Sequence, residues 1–489
     1  MRTDFHGLDP GRTDPIETVT LTYETHERFV PFLRRDDQSG YAYAISSDER
    51  WLAHGIKMTI DLYDLSTGER VRTLMGHTAD IESLAFSAST ETTILVSSAT
   101  SDYDNAEEER AEIIVWDLKD DSEGPEQTDR IEAGEVARDA VDHIQARLAG
   151  ATPPLSLEPG ETTELTTSLE KLLGRFISRS SLPSTARRLS GRLSTSFQSP
   201  IFNNAGTALT ILPAYSPPSN GDAQWDIRVH DLVSGRETIL TGHRDSIMWI
   251  GFSPDDSLIV SACWDGTFRV WRADTGEQVH VWTTDRQNWA GCFAPDNERF
   301  MGTDGDGKIR IWSLSTGDLL WSYQGADRGG RWRRHVDWSP DGKYILVGGE
   351  EHGEILLFEV PFSGSEGGPV EPAQRRLLSL AETRMDDDMK ILAEGMLGVA
   401  SLQFVSGEGN HEDVMFGSTT YSDAGVEFVS LTRGKKWRIV PFERTEDDEA
   451  DYDRLRREGW GSALSWSVLK KTGQVVVVNG DGLRFWKLT

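Results

Sequence analysis

The chain has 489 residues, 37% of them hydrophobic, and carries 80 acidic against 50 basic side chains, a net charge of −30. Such a field repels nucleic-acid phosphate, whose binding demands a basic footprint, and favours cationic partners. Two cysteines, Cys263 and Cys292, leave no basis for a disulfide framework, and the longest strand-like apolar run, Val475 to Val478, is far too short to span a bilayer. With Met1 to Pro15 polar throughout, the expectation is a soluble cytosolic or nuclear protein with no nucleic-acid or membrane contact.

In chain order, residues 1–17 are expected to form a flexible N-terminus, and Thr18 to Glu24 (18–24) alternates as an outer strand does. Eight segments then fit a template of three strands, a, b and c, joined by tight turns. They are Tyr41 to Leu65, Ile81 to Leu118, Leu193 to Leu232, Ile247 to Trp271, Asn288 to Leu314, Trp332 to Val360, Val399 to Leu431 and Ala463 to Leu488. His230, Trp271 and Trp312 close strand c of three successive segments at steps of 41 residues. A period of that length marks a four-stranded blade repeated radially, so the whole chain reads as one domain, residues 1–489.

Three insertions and a shorter loop interrupt the period. Tyr103 to Glu112 extends the b–c turn of segment two, and Glu443 to Gly461 (443–461) separates segments seven and eight; both are acid-rich. Lys119 to Thr185 (119–185) stands between strand c of segment two and an outer strand, d, at Ala186 to Arg192. Pro361 to Asp388 (361–388) is expected to be a loop. Within 119–185, Ala137, Val141, Ile144 and Leu148 recur at helical steps, with Gly150 as a stop. A second such stretch holds Leu165, Leu169, Leu172, Leu173, Phe176 and Ile177, after a link containing Pro153, Pro154 and Pro159. Isolated helices this short are marginal in water and must bury their apolar faces on the chain itself or on a partner.

The most diagnostic block is Gly242 His243, Ile247 to Phe252, Ser253 Pro254 Asp255, Leu258 to Ser261, Trp264 Asp265 Gly266 and Phe268 to Trp271. It resembles the WD-repeat β-propeller family. The resemblance implies an all-β propeller of eight blades, or seven if the seventh segment, with Val429 where Trp is usual, is irregular. The last segment ends after strand c at Trp486, so the resemblance also implies that residues 18–24 close the ring as the eighth outer strand. The b–c turns and the links from strand d to the next strand a then share one rim, the top. The acidic loops lie there, and 119–185 lies on the opposite rim.

The resemblance further implies a structural hydrogen-bond network of His243, Ser261, Asp265 and Trp271, repeated as His77, Ser98, Asp102 and Trp116. A hydrolase reading of His, Ser and Asp is rejected, because Ser261 sits inside an apolar strand and no nucleophile elbow accompanies it. Asp304 Gly305 Asp306 Gly307 lacks the later ligands of a calcium loop. No spacing for zinc or for a phosphate-binding loop is present, so no catalytic residue, metal or cofactor is expected, and a propeller enzyme is disfavoured. Ile113 to Lys119 resembles the short box of cullin ubiquitin-ligase substrate receptors, which is the alternative function. Ser190, after Arg187 and Arg188, resembles a basophilic kinase site. The leading expectation is a monomeric, non-catalytic scaffold within a larger complex. Its acidic loops, with Asp104, Glu107, Glu108 and Glu109 in one and Glu446, Asp447, Asp448 and Glu449 in the other, bind a basic protein segment.

Overall fold

The computed structural model describes residues 17–22, 25–31, 42–88, 93–100, 111–118, scattered positions from 138 to 157, 159–180, 186–194, 198–214, 225–324, 332–349, 354–360, 374–378, 399–405, 415–420, 426–430, 432–440, 466–469, 471–479 and 482–488. These residues make eight blades, seven of four strands and one of five, and the fold is an eight-bladed β-propeller with a helical insertion after the second blade. Two compact units divide the chain: Gln38–Arg192, and Met1–Asp37 with Leu193–Thr489.

The first unit holds blade one, Tyr43–Ile45 to Arg70–Met75, and blade two. Blade two runs Ile81–Phe86, Ile94–Ala99 and Glu112–Asp117, and its outer strand Ala186–Ser190 lies antiparallel on Glu112–Asp117. Ala53, Ile60, Ile81, Leu95, Ile114 and Trp116 form one core between the two blades. The insertion includes a helix, Pro159–Ser180, longer than the apolar pattern implied. It opens at Pro159 itself, a residue suited to the first helical position because its missing N–H would have no intrahelical partner. Helical residues also occur between Arg138 and Leu148; there Val141 is buried and Ile144 exposed. Gln145 Nε2 donates to Thr162 Oγ1 at 2.9 Å, tying this helical stretch to the start of the longer helix.

The second unit holds blades three to eight. Its central strands are apolar on both faces, as Leu258–Cys263 is, because each blade is covered on both sides by its neighbours. Outer strands such as Gln278–Thr283 are largely exposed. Between blades four and five, Trp282 stacks on Trp312 at 4.8 Å and Phe268 approaches Trp312 at 5.1 Å. This packing requires glycine at position 302, where a Cβ would come within 2.5 Å of the Phe268 ring.

The N-terminal segment departs from expectation. Glu17–Thr22 pairs in parallel with Lys435–Val440 and makes blade seven five-stranded. The outer strand of blade eight is instead Arg28–Pro31, antiparallel to Gly482–Lys487. Physically, Trp437 and Ile439 need an apolar cover, which Val19 and Leu21 supply by packing into their cluster. Arg28–Pro31 buries Val30, and Arg28 and Arg484 lie over the Phe485 and Phe29 rings at 4.4 and 4.3 Å. A second correction falls in 361–388, where Gln374–Leu378 is the outer strand of blade six, antiparallel to Glu354–Glu359.

Candidate interaction face

Blade four carries the expected network. His243 Nε2 meets Ser261 Oγ at 2.6 Å, Nδ1 meets Asp265 Oδ2 at 2.8 Å, and the ring contacts Trp271 edge-on at 5.6 Å. Asp265 also accepts from the backbone N–H of Arg244 and from the N–H and hydroxyl of Thr267, at 3.1, 2.9 and 2.6 Å. Burial pushes the His243 pKa down and keeps the imidazole neutral against the pull of Asp265. Burial also acts to raise the Asp265 pKa, but the hydrogen bonds from His243, Thr267 and Arg244 outweigh it and hold the carboxyl far below its usual range.

Blade two carries the same network on two different residues. His77 Nε2 meets Ser97 Oγ at 2.5 Å, and Trp116 Nε1 donates to that hydroxyl at 2.8 Å, so Ser98 is not the member. Ser97 is the fourth residue of Ile94–Ala99, as Ser261 is of Leu258–Cys263, and in a strand a one-residue shift turns a side chain to the other face. The carboxylate is Glu112, at 3.2 Å from His77 Nδ1 and 2.8 Å from the Thr78 N–H; Asp102 lies outside the described residues. Arg188, from the outer strand, donates to Glu112 and to the Gly76 carbonyl. Burial raises the Glu112 pKa, but His77, Thr78 and Arg188 together bring it down to about 2.

Ser261 and Ser97 are fully enclosed, so neither hydroxyl is open to a substrate. His243, Cys263 and Asp265 bring potential metal ligands within 4.8 Å of one another. Both imidazole nitrogens are taken, however, and burial pushes the Cys263 thiol up so that it stays protonated, donating to the Asp245 carbonyl. Asp304 forms a b–c turn, accepting from the Asp306 and Lys308 N–H groups and from Arg310. Ser190 is exposed at the end of its strand, with Arg188 committed to Glu112. Asp104, Glu107, Glu108, Glu109, Glu446, Asp447, Asp448, Glu449 and Lys119 lie outside the described residues.

A cleft of about 440 Å³ opens at the b–c end of blades four and five, beside the start of blade six. Trp264, Asp265 and Gly266 come from one b–c turn, Gly305 and Asp306 from the next, Thr284 to Gln287 from the link between the blades, and Trp332 from the third side. The walls are rigid: Thr284 N–H donates to the Gly266 carbonyl and Gly305 N–H to the Gln287 carbonyl, both at 2.8 Å. Gly266 has φ +79°, a left-handed conformation that a side chain would strain. Trp289 meets Trp264 at 5.2 Å and Trp332 at 5.1 Å, and Arg334 lies over the Trp289 and Trp332 rings at 4.2 and 4.4 Å. Sequence reading passed over this cleft because its residues come from three blades and only Trp264 Asp265 Gly266 belong to a recognisable motif.

Two segments, residues 68–105 and 235–272, match the family model described as WD domain, G-beta repeat. Both begin at an outer strand and continue into strands a and b of the next blade, the second through strand c as well, and each contains one of the two network histidines. The two matched segments are WD repeats, and the eight sheets around them make a β-propeller. Among solved structures, the C-terminal WD40 domain of Sif2 is similar at 16% identity, over 78% of each chain, with a TM-score of 0.45. No curated protein matches in sequence.

Proposed function

We propose that the protein is a non-catalytic interaction scaffold that recruits a basic protein segment through the acidic connections at residues 101–110 and 443–461. WD40 propellers mediate protein–protein interactions in general, and the finer reading is supported by one observation, the charge: −30 over the chain, with the acidic runs Glu107 to Glu109 and Glu446 to Glu449 in these two connections. Acidic loops attract cationic segments and speed their encounter. The networks belong to stability and take no part in binding.

Reversing Glu107, Glu108 and Glu109 to Lys, or Asp447, Asp448 and Glu449 to Lys, tests the reading. Either variant should lose affinity for a basic peptide while keeping its melting temperature, and wild-type affinity should fall as salt rises. Equal affinity in both variants would contradict it.

A further inference from the structure

We infer that the cleft between blades four, five and six is a binding pocket for an arginine side chain of a protein partner. The inference rests on the basic-partner reading and gives it a place.

Three carboxylates, Asp265, Asp285 and Asp306, line the cleft against one guanidinium, Arg286. With Arg334 over the Trp332 ring counted as well, one negative charge remains in excess, which favours a cation. Asp265 is consumed by its network, and Asp306 pairs with Arg286 at 3.0 Å. Asp285 is exposed and, among the described residues, carries no ion pair, so it is the carboxylate open to a ligand.

The aromatic wall selects the kind of cation. Trp332 is 41% exposed at the mouth, and one of its contacts is already the Arg334 guanidinium at 4.4 Å. The protein's own arginine therefore shows that this ring accepts a planar cation. A second guanidinium, from a partner, can stack on the exposed side of Trp332 and donate a fork of two hydrogen bonds to Asp285, which an ammonium cannot do. Gly266 and Gly305 keep the floor low: a Cβ at Gly305 would already stand 3.6 Å from the Trp289 indole nitrogen.

The test is fluorescence anisotropy with a labelled peptide of alternating glycine and arginine, and its lysine counterpart, on the full chain. Wild type should bind the arginine peptide more tightly than the lysine peptide. Asp285→Asn and Trp332→Ala should each weaken the arginine peptide roughly tenfold, and melting curves should confirm that both stay folded. If either variant proves unstable, protection of the Trp332 indole N–H on adding peptide to wild type, followed by NMR, reads the same contact. Unchanged affinity in Asp285→Asn and Trp332→Ala, with loss on reversal of the acidic loops, would remove the pocket and leave the basic-partner reading standing. Absence of binding to wild type at low salt would overturn both.

Discussion

Blades two and four solve one problem in different ways. In blade four the carboxylate that holds the histidine, Asp265, sits in the tight b–c turn, two residues before strand Thr267–Arg272. In blade two the carboxylate is Glu112, the first residue of strand Glu112–Asp117. A glutamate is one methylene longer, and from the strand it reaches both the His77 ring and the Thr78 N–H, as Asp265 reaches His243 and the Arg244 N–H. Arg188 then secures it from the outer strand. With Glu112 as the anchor, the hold on His77 comes from the first residue of the strand itself.

Glu112→Ala should have the largest effect, because it leaves His77 and Arg188 without their common partner; a loss of about 3 kcal/mol is expected by chemical denaturation. His243→Ala should cost roughly 1–3 kcal/mol, since it deprives Ser261 and Asp265 of a buried partner. Ser97→Ala should cost about 1–2 kcal/mol, while Ser98→Ala costs well under half of that. Equal effects of the two serine variants would break the register on which the comparison stands. Replacing residues 101–110 by a short Asp-Gly turn should change stability by no more than about 0.5 kcal/mol. A larger loss would mean that Asp102 or its neighbours still serve the network.

Acid provides a further test. The depressed carboxyl of Glu112 contributes stability that is fully present above its ordinary value of 4.5 and is lost as pH falls towards about 2. His243, also depressed, loses its contribution as pH falls from 6.5. Asp337 runs the other way: burial raises it to about 6, so its contribution is present below its ordinary 3.8 and is lost as pH rises through about 6. Glu112→Gln should therefore flatten the decline in stability between pH 4.5 and 2 relative to wild type.

Much of the fold was legible because strand c of blades three to five recurs at a step of 41 residues and its closing residue, whether Trp271, Phe358 or Val429, is buried in every blade. What escaped was pairing that depends on distant partners. Thr18 to Glu24 reads as an edge strand, yet nothing in its alternation distinguishes blade seven from blade eight; the apolar outer face of Trp437 and Ile439 decides. The outer strand Gln374–Leu378 escaped because its run of arginines and leucines does not alternate polar with apolar residues. At the site, the His243 network was read directly from one contiguous motif. Blade two was misaligned by a single residue because two adjacent serines offer the same chemistry, and its carboxylate was missed because the family spacing points into the lengthened turn. The cleft combines residues from three blades, which no local pattern displays.

The most direct test of the scaffold reading is hydrogen–deuterium exchange on the full chain with and without a bound arginine-rich peptide. The account predicts protection at residues 101–110, 443–461 and 284–287. Protection confined to Ala186–Ser190 and the helix Pro159–Ser180, with those three segments unchanged, would contradict it and assign partner binding to the outer strand of blade two and its insertion.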